Sequence, residues 1–200
     1  MEGICVATVD SRAYYSVLSR LRNTDLRFTS VNPSDVTERC NLIVTTRAEL
    51  KGFEGKGVAI EDLDDDPLIM KGQILSRLSK MRNRDLLIGI DPGSRIGLAI
   101  YYGDTELAKL IFTSIDDLRR FIAKTVRRIP NSGVVVKIGD GSPRLARSIA
   151  ERVTEEVSGA RIEIVDERGT SSRPAGGRLK RDQNAAAKIA FRKGISYERR

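Results

Sequence analysis

Leu86-Leu87-Ile88-Gly89-Ile90-Asp91-Pro92-Gly93-Ser94-Arg95-Ile96-Gly97 is the stretch on which the fold turns. A continuous apolar run that ends in a carboxylate reads as a central strand covered on both faces. Pro92-Gly93-Ser94-Arg95 is turn chemistry and residues 96–102 supply a second strand, so the two form a hairpin. Gly93 and Gly97 suit that tight turn, and equally the close approach of a phosphate backbone. Residues 107–113 read as a third strand. Ser114 and Asp117 open a helix in the manner of a capping box. Its apolar face carries Ile115, Leu118, Phe121, Ile122, Thr125 and Ile129; its other face, with Arg119, Arg120, Lys124, Arg127 and Arg128, reads by itself as solvated surface. Residues 134–138 form a fourth strand, Gly139-Asp140-Gly141 a turn, and Ser142-Pro143 the start of a helix with Leu145, Ile149, Val153 and Val157 inward. A fifth strand at 161–167, a polar loop at 168–180 and a last helix from about Arg181 to Lys193, closed by Gly194, complete the pattern. The expectation is an α/β domain with a mixed five-stranded sheet and helices on its faces.

Outward from that stretch, the polar segment 79–85 reads as a linker between a domain at 1–83 and one at 84–200. The charge divides there too. Residues 1–85 carry 13 Lys/Arg against 13 Asp/Glu, while residues 86–200 carry 22 against 14, which is the whole net charge of +8. Upstream, strands at 4–9, 26–31, 41–46 and 57–60 alternate with a helix capped by Asp10 or Ser11 and another at 67–78 that starts at Pro67 behind Asp64-Asp65-Asp66. That predicts a small α/β domain with a mostly parallel sheet, whose acidic run 61–66 reads as a helix start rather than a metal site. Its role is not legible.

Composition excludes much chemistry. The 200 residues include no His, which removes Ser-His and Cys-His catalysis and His-based metal sites. Two cysteines, Cys5 and Cys40, are too few for a four-cysteine zinc site and read as buried thiols of a reducing cytoplasm. No apolar run approaches the roughly 20 residues that span a bilayer. The chain enters a strand directly, without a basic leader, so a cytoplasmic location without membrane contact is expected. The basic second half calls for an anionic partner. Aromatic residues are 5% of the chain, which disfavours base stacking and prefers duplex or branched DNA or RNA.

What remains for chemistry is carboxylate. Asp91 ends the first strand of the second domain, Asp140 follows the fourth, Asp166 and Glu167 end the fifth, and Asp182 opens the last helix. Functional crevices of open α/β sheets lie at such strand ends. Two unit charges about 4 Å apart cost on the order of 4 kcal/mol at an effective dielectric of about 20, so converging acids call for cations between them. Hard oxygen donors select Mg2+ or Mn2+, and two such ions make a phosphodiester hydrolysis site. Each acid also has a plainer reading: Asp91-Pro92-Gly93 as a strand-ending turn, Asp182 as a helix-dipole acid, Glu167 with Arg168 as an exposed ion pair. Arg95 and the loop residues Arg168, Arg173, Arg178, Lys180 and Arg181 are candidate phosphate contacts. Ser171-Ser172 and Gly176-Gly177 would let that loop fold over a nucleic-acid backbone. Ala185, Ala186 and Ile189 would let the last helix approach the sheet closely and bring Asp182 to Asp91.

The stretch 88–97 resembles the opening strand and turn of the RuvC and YqgF branch of the ribonuclease H-like superfamily. Asp166-Glu167-Arg168-Gly169-Thr170-Ser171-Ser172 is similar to the YqgF signature, and Asp182, Ala185, Ala186 and Ile189 match its last-helix pattern. Ile138-Gly139-Asp140-Gly141-Ser142-Pro143-Arg144 is similar to the YqgF-like domain of the Tex transcription factor. The resemblance spans about residues 86–194 and implies a ribonuclease H-like mixed five-stranded sheet with flanking helices. It implies Asp91, Glu167 and Asp182 as catalytic, metal-holding acids for two Mg2+ or Mn2+ ions, with Asp140 or Asp166 as the candidate fourth ligand. Lys137 and Gly139 stand near where the RuvC branch keeps a glutamate. The implied function is a metal-dependent endonuclease on structured nucleic acid, in the manner of a Holliday-junction resolvase or an RNA-processing enzyme. For a symmetric junction that implies a homodimer. The alternative is a non-catalytic nucleic-acid-binding module with a vestigial site.

Overall fold

A computed structural model describes residues 3–53, 55–78, 84–167 and 178–197, those at 178–181 by their backbone alone. The chain divides into two compact units, Met1–Met81 and Arg82–Arg200.

The first unit begins with β1 (Gly3–Val6), and Asp10 then caps α1 (Ser11–Leu21) by accepting the Ala13 N–H. Strands β2 (Phe28–Ser30), β3 (Cys40–Thr45) and β4 (Gly57–Ala59) follow, joined by short 3-10 turns rather than helices. The helix α2 (Pro67–Arg77) starts as its sequence dictates, with Pro67 in the first turn and Asp66 accepting the Leu68 N–H. The acidic run before it is accounted for by this cap, by Arg47 on Glu61 and Asp62, and by Arg20 on Asp65. The sheet is parallel throughout, in the order β2-β1-β3-β4. Because β1 and β3 are neighbours, Cys5 and Cys40 come to a Cα–Cα distance of 5.6 Å and are joined in a disulfide. The expectation of free thiols is overturned by that pairing, and the argument it gave for a reducing compartment goes with it. No helix among the described residues is long and apolar enough to cross a membrane.

Glu49 ties together the chain just beyond β1 and β3. Glu49 accepts hydrogen bonds from the Val9 N–H at 2.8 Å, the Thr46 hydroxyl at 2.6 Å and the Thr45 hydroxyl at 3.2 Å. Burial alone would raise its pKa; the Thr46 and Thr8 hydroxyls and the Val9 and Thr46 amides outweigh burial and hold it at about 2. A carboxylate held below its unfolded value stabilises the fold above about pH 4.5, and that contribution is lost as pH falls toward 2. Urea unfolding as a function of pH is expected to show this loss in the wild type. Glu49→Gln should remove it and cost about 1–3 kcal/mol at neutral pH. An unchanged acid limb would count against the contact.

In the second unit, β5 (Leu86–Asp91), β6 (Ile96–Tyr102) and β7 (Thr105–Phe112) run antiparallel. The Ser114 hydroxyl caps α3 (Ile115–Arg128), and β8 (Val134–Gly139) then enters parallel to β5. α4 (Pro143–Glu156) leads to β9 (Arg161–Val165), parallel to β8. α5 (Arg178–Phe191) and the two-residue β10 (Ile195–Ser196) complete the unit. The order is β10-β9-β8-β5-β6-β7. Among the described residues the expected five strands therefore become six, because β10 pairs antiparallel with the edge of β9. The last helix also starts earlier than expected. Asp182 sits a full turn inside α5 instead of opening it.

The two faces of this sheet differ. One is lined by Leu86, Ile88, Ile90, Leu98, Ile100, Tyr102, Val136 and Ile138, all fully buried, and is covered by α3 and α4. The other is a lane of small residues, Gly89, Ala99, Gly97 and Gly139, on which α5 lies with Ala186 and Ala190 inward. A Cβ built at Gly89 would stand 2.1 Å from the Ala186 carbonyl oxygen and 2.8 Å from the Ala190 Cβ. Gln183 ties α5 to β7 by donating to the Lys109 carbonyl at 3.0 Å. Lys137 secures the other end of α5 by donating to the Arg192 carbonyl, and also pairs with Glu163 at 3.4 Å.

Candidate functional site

Asp91 closes β5 opposite Gly97 of β6. A Cβ at Gly97 would stand 3.3 Å from the Asp91 Cβ and 2.3 Å from the Asp182 carbonyl oxygen. Close packing of α5 on the small-residue lane thus brings Asp182 to the mouth of β5, across 91 residues of sequence. The Asp182 side chain is held by Arg95, from the β5–β6 turn, at 2.7 Å.

Glu167 follows the end of β9. A Cβ at Gly139, the last residue of β8, would meet Glu167 Oε1 at 1.8 Å, and one at Gly141 would meet Oε2 at 2.9 Å. The Gly141 N–H donates to Oε1 at 3.2 Å. Asp140 accepts the Glu167 N–H at 2.9 Å while its own N–H donates to the Val165 carbonyl at 3.0 Å, so this aspartate braces the backbone that presents Glu167. Asp166 is exposed, and its carbonyl accepts from Arg192 at 2.8 Å. The Gly-Asp-Gly turn is more than a connection: two residues without side chains leave the space that the Glu167 carboxylate fills.

Asp91 has its pKa pushed up to about 6, first by burial and then by the charges of Glu167 and Asp182. Glu167 and Asp182 therefore both lie close enough to act on Asp91. Among the described residues, no group of three or more acids or cysteines is arranged as it stands to hold a metal ion.

The basic residues fare unevenly. Arg168 and Arg173 lie outside the described residues, and Arg178, Lys180 and Arg181 lie in the first turn of α5, with only their backbone described. The basic face of α3 is largely neutralised. Arg119 pairs with Asp116 at 3.0 Å and with Glu156 at 2.8 Å, Arg152 with Asp116 at 2.6 Å, and Arg127 with Glu156 at 3.3 Å. The sequence signal for part of this was present, since Asp116 and Arg119 share a helix face at three-residue spacing. Glu156 comes from α4 and could not be read locally. Lys137, near where the RuvC branch keeps a glutamate, anchors α5 instead.

Residues 3–67 match the family model of a response regulator receiver-like domain, which is less than half of the chain. No curated protein matches the sequence. Among solved structures the chain is similar to the X-ray crystal structure of Marinitoga piezophila Argonaute in complex with 5′ OH guide RNA, at 12% identity and a TM-score of 0.31. That similarity covers 82% of this chain and 40% of the Argonaute chain. The protein is thus an α/β chain of two units, a parallel sheet similar in sequence to receiver domains and a mixed sheet with helices on both faces.

Proposed function

We propose that the second unit is a ribonuclease H-like nuclease domain that cuts the backbone of structured DNA or RNA with two Mg2+ or Mn2+ ions. The observation that carries the reading is the meeting of acids from three distant segments at one strand mouth. Asp91 ends the central strand, the Asp182 backbone packs on Gly97, and Glu167 lies over Gly139. Antiparallel β7-β6-β5 continuing into parallel β8 and β9 agrees with the mixed sheet that the sequence resemblance implies. The donor set is all carboxylate, which fits a hard divalent cation in kind. Asp91, Glu167 and Asp182 would hold the ions, which supply Lewis acidity toward a phosphodiester when bound. The rest is positioning by the chain. Gly97 and Gly139 keep the space between the acids, Asp140 fixes Glu167, and α5 carries Asp182. Arg144 and Arg147 are exposed on the early turns of α4, just beyond Gly141, and form no ion pair among the described residues. With Arg95 they offer phosphate contacts next to the acids.

The test is calorimetric titration of the full chain with MnCl2, together with incubation on a panel of junction, duplex DNA and duplex RNA. The wild type is expected to bind two ions and to cleave. Asp91→Asn should lose both properties and still bind the duplex. With about six phosphates neutralised, log affinity without metal should fall with log salt at a slope near about −5. The Arg95–Asp182 ion pair favours one second reading, a binding module whose acids are neutralised internally. Its signature is salt-sensitive binding without cleavage, unchanged by Asp91→Asn, and that result would sink the nuclease reading.

A further inference from the structure

We infer that Arg95 is a latch: its guanidinium withholds Asp182 from a divalent cation until a nucleic-acid phosphate draws it away. This rests on the nuclease reading and adds to it a residue that couples substrate to metal. The Arg95 nitrogen lies 2.7 Å from Asp182 Oδ2, so a cation seeking that oxygen meets a positive charge already on it. Both side chains keep part of their surface in water, 33% for Arg95 and 21% for Asp182, so the pair can exchange partners without the fold opening. The main chain cannot take part in such an exchange. The Asp182 carbonyl is seated against Gly97, and Arg95 is fixed between the turn and β6. Only side-chain rotation is needed. A phosphodiester offers the guanidinium two oxygens in the geometry of its fork, a better match than a single carboxylate oxygen.

Competition for one carboxylate implies reciprocal coupling between metal and Arg95, and between phosphate and Asp182. In full-length protein, Arg95→Gln is expected to bind Mn2+ about tenfold more tightly than the wild type, within the usual range of coupling between sites. Arg95→Lys, which keeps the charge without the fork, should fall between them and serves if the glutamine variant does not fold. In EDTA, Asp182→Asn should tighten binding of a short DNA duplex several-fold, and clearly less when Arg95 is already glutamine. If Arg95→Gln folds with Mn2+ affinity unchanged or weakened, the latch is overturned while the nuclease reading stands. If wild type and both variants bind no Mn2+, the nuclease reading fails and the latch with it. Tightening that is equal with or without Arg95 in the duplex experiment overturns the phosphate half of the exchange.

Discussion

Gly89→Ala is expected to unfold the second unit or cost it about 4 kcal/mol or more, the range reserved for severe core lesions. One methyl group is normally a minor addition, and overpacking of a core typically costs about 1–3 kcal/mol. Gly89 is worse placed than that. Its Cβ would meet the Ala186 carbonyl oxygen at 2.1 Å and the Ala190 amide nitrogen at 2.8 Å, both backbone atoms that cannot rotate aside. Relief requires lifting α5 from the sheet, which also removes Asp182 from Asp91. Chemical unfolding followed by tyrosine fluorescence reads this directly, because Tyr101 is in the same cluster as Ala186 and Ala190. Gly52→Ala is the comparator, with no heavy atom within 4 Å of its new Cβ, and should be close to neutral. Equal stabilities for the two variants would refute the close seating of α5.

The second large effect has opposite signs without and with metal. At pH 8 the metal-free Asp91→Asn protein is expected to be more stable than the wild type by up to about 3 kcal/mol. Asp91 titrates at about 6 in the fold against 3.8 unperturbed, so the folded protein binds its proton more tightly than the unfolded chain. The stability that this gives is complete below about pH 4 and is lost as pH rises through 6. Asparagine removes the titration, so the advantage of the variant should shrink on acidification and vanish near pH 4. This slope runs opposite to that of Glu49, which loses stability toward low pH. On the proposed two-metal reading, saturating Mn2+ should reverse the order, because only the wild type would gain binding free energy. A variant no more stable than the wild type at pH 8 would mean that neither burial nor the charges of Glu167 and Asp182 raise Asp91 in the fold.

Local signals carried most of the elements. The apolar run before Asp91, the caps Asp10, Asp66 and Ser114, and the alanines of the last helix each act over a few residues, and each appears where such chemistry puts it. What escaped depends on which segments become neighbours. The Cys5–Cys40 bond follows from β1 lying beside β3, a matter of sheet order that two isolated cysteines do not reveal. β10 has two residues and no periodicity to detect. The start of α5 lies in a polar stretch without apolar spacing, so the sequence alone places Asp182 at the opening of the helix rather than a turn inside it. The same blindness hid the partner of Arg95, which stands 87 residues away. That carboxylates stand at the ends of β5 and β9 was legible because strand ends are local; the pairing of Asp182 with Arg95 was not.

The lane of small residues under α5 sets an order of events during synthesis. Strands β5 to β9 leave the ribosome ahead of α5, and the sheet can assemble on α3 and α4 while its other side is still a wet trough floored by Gly89, Ala99 and Gly97. At that stage Asp91 and Glu167 stand at the strand mouths without Asp182. The cluster of acids is therefore the last part of the unit to form, completed by the same step that closes the trough.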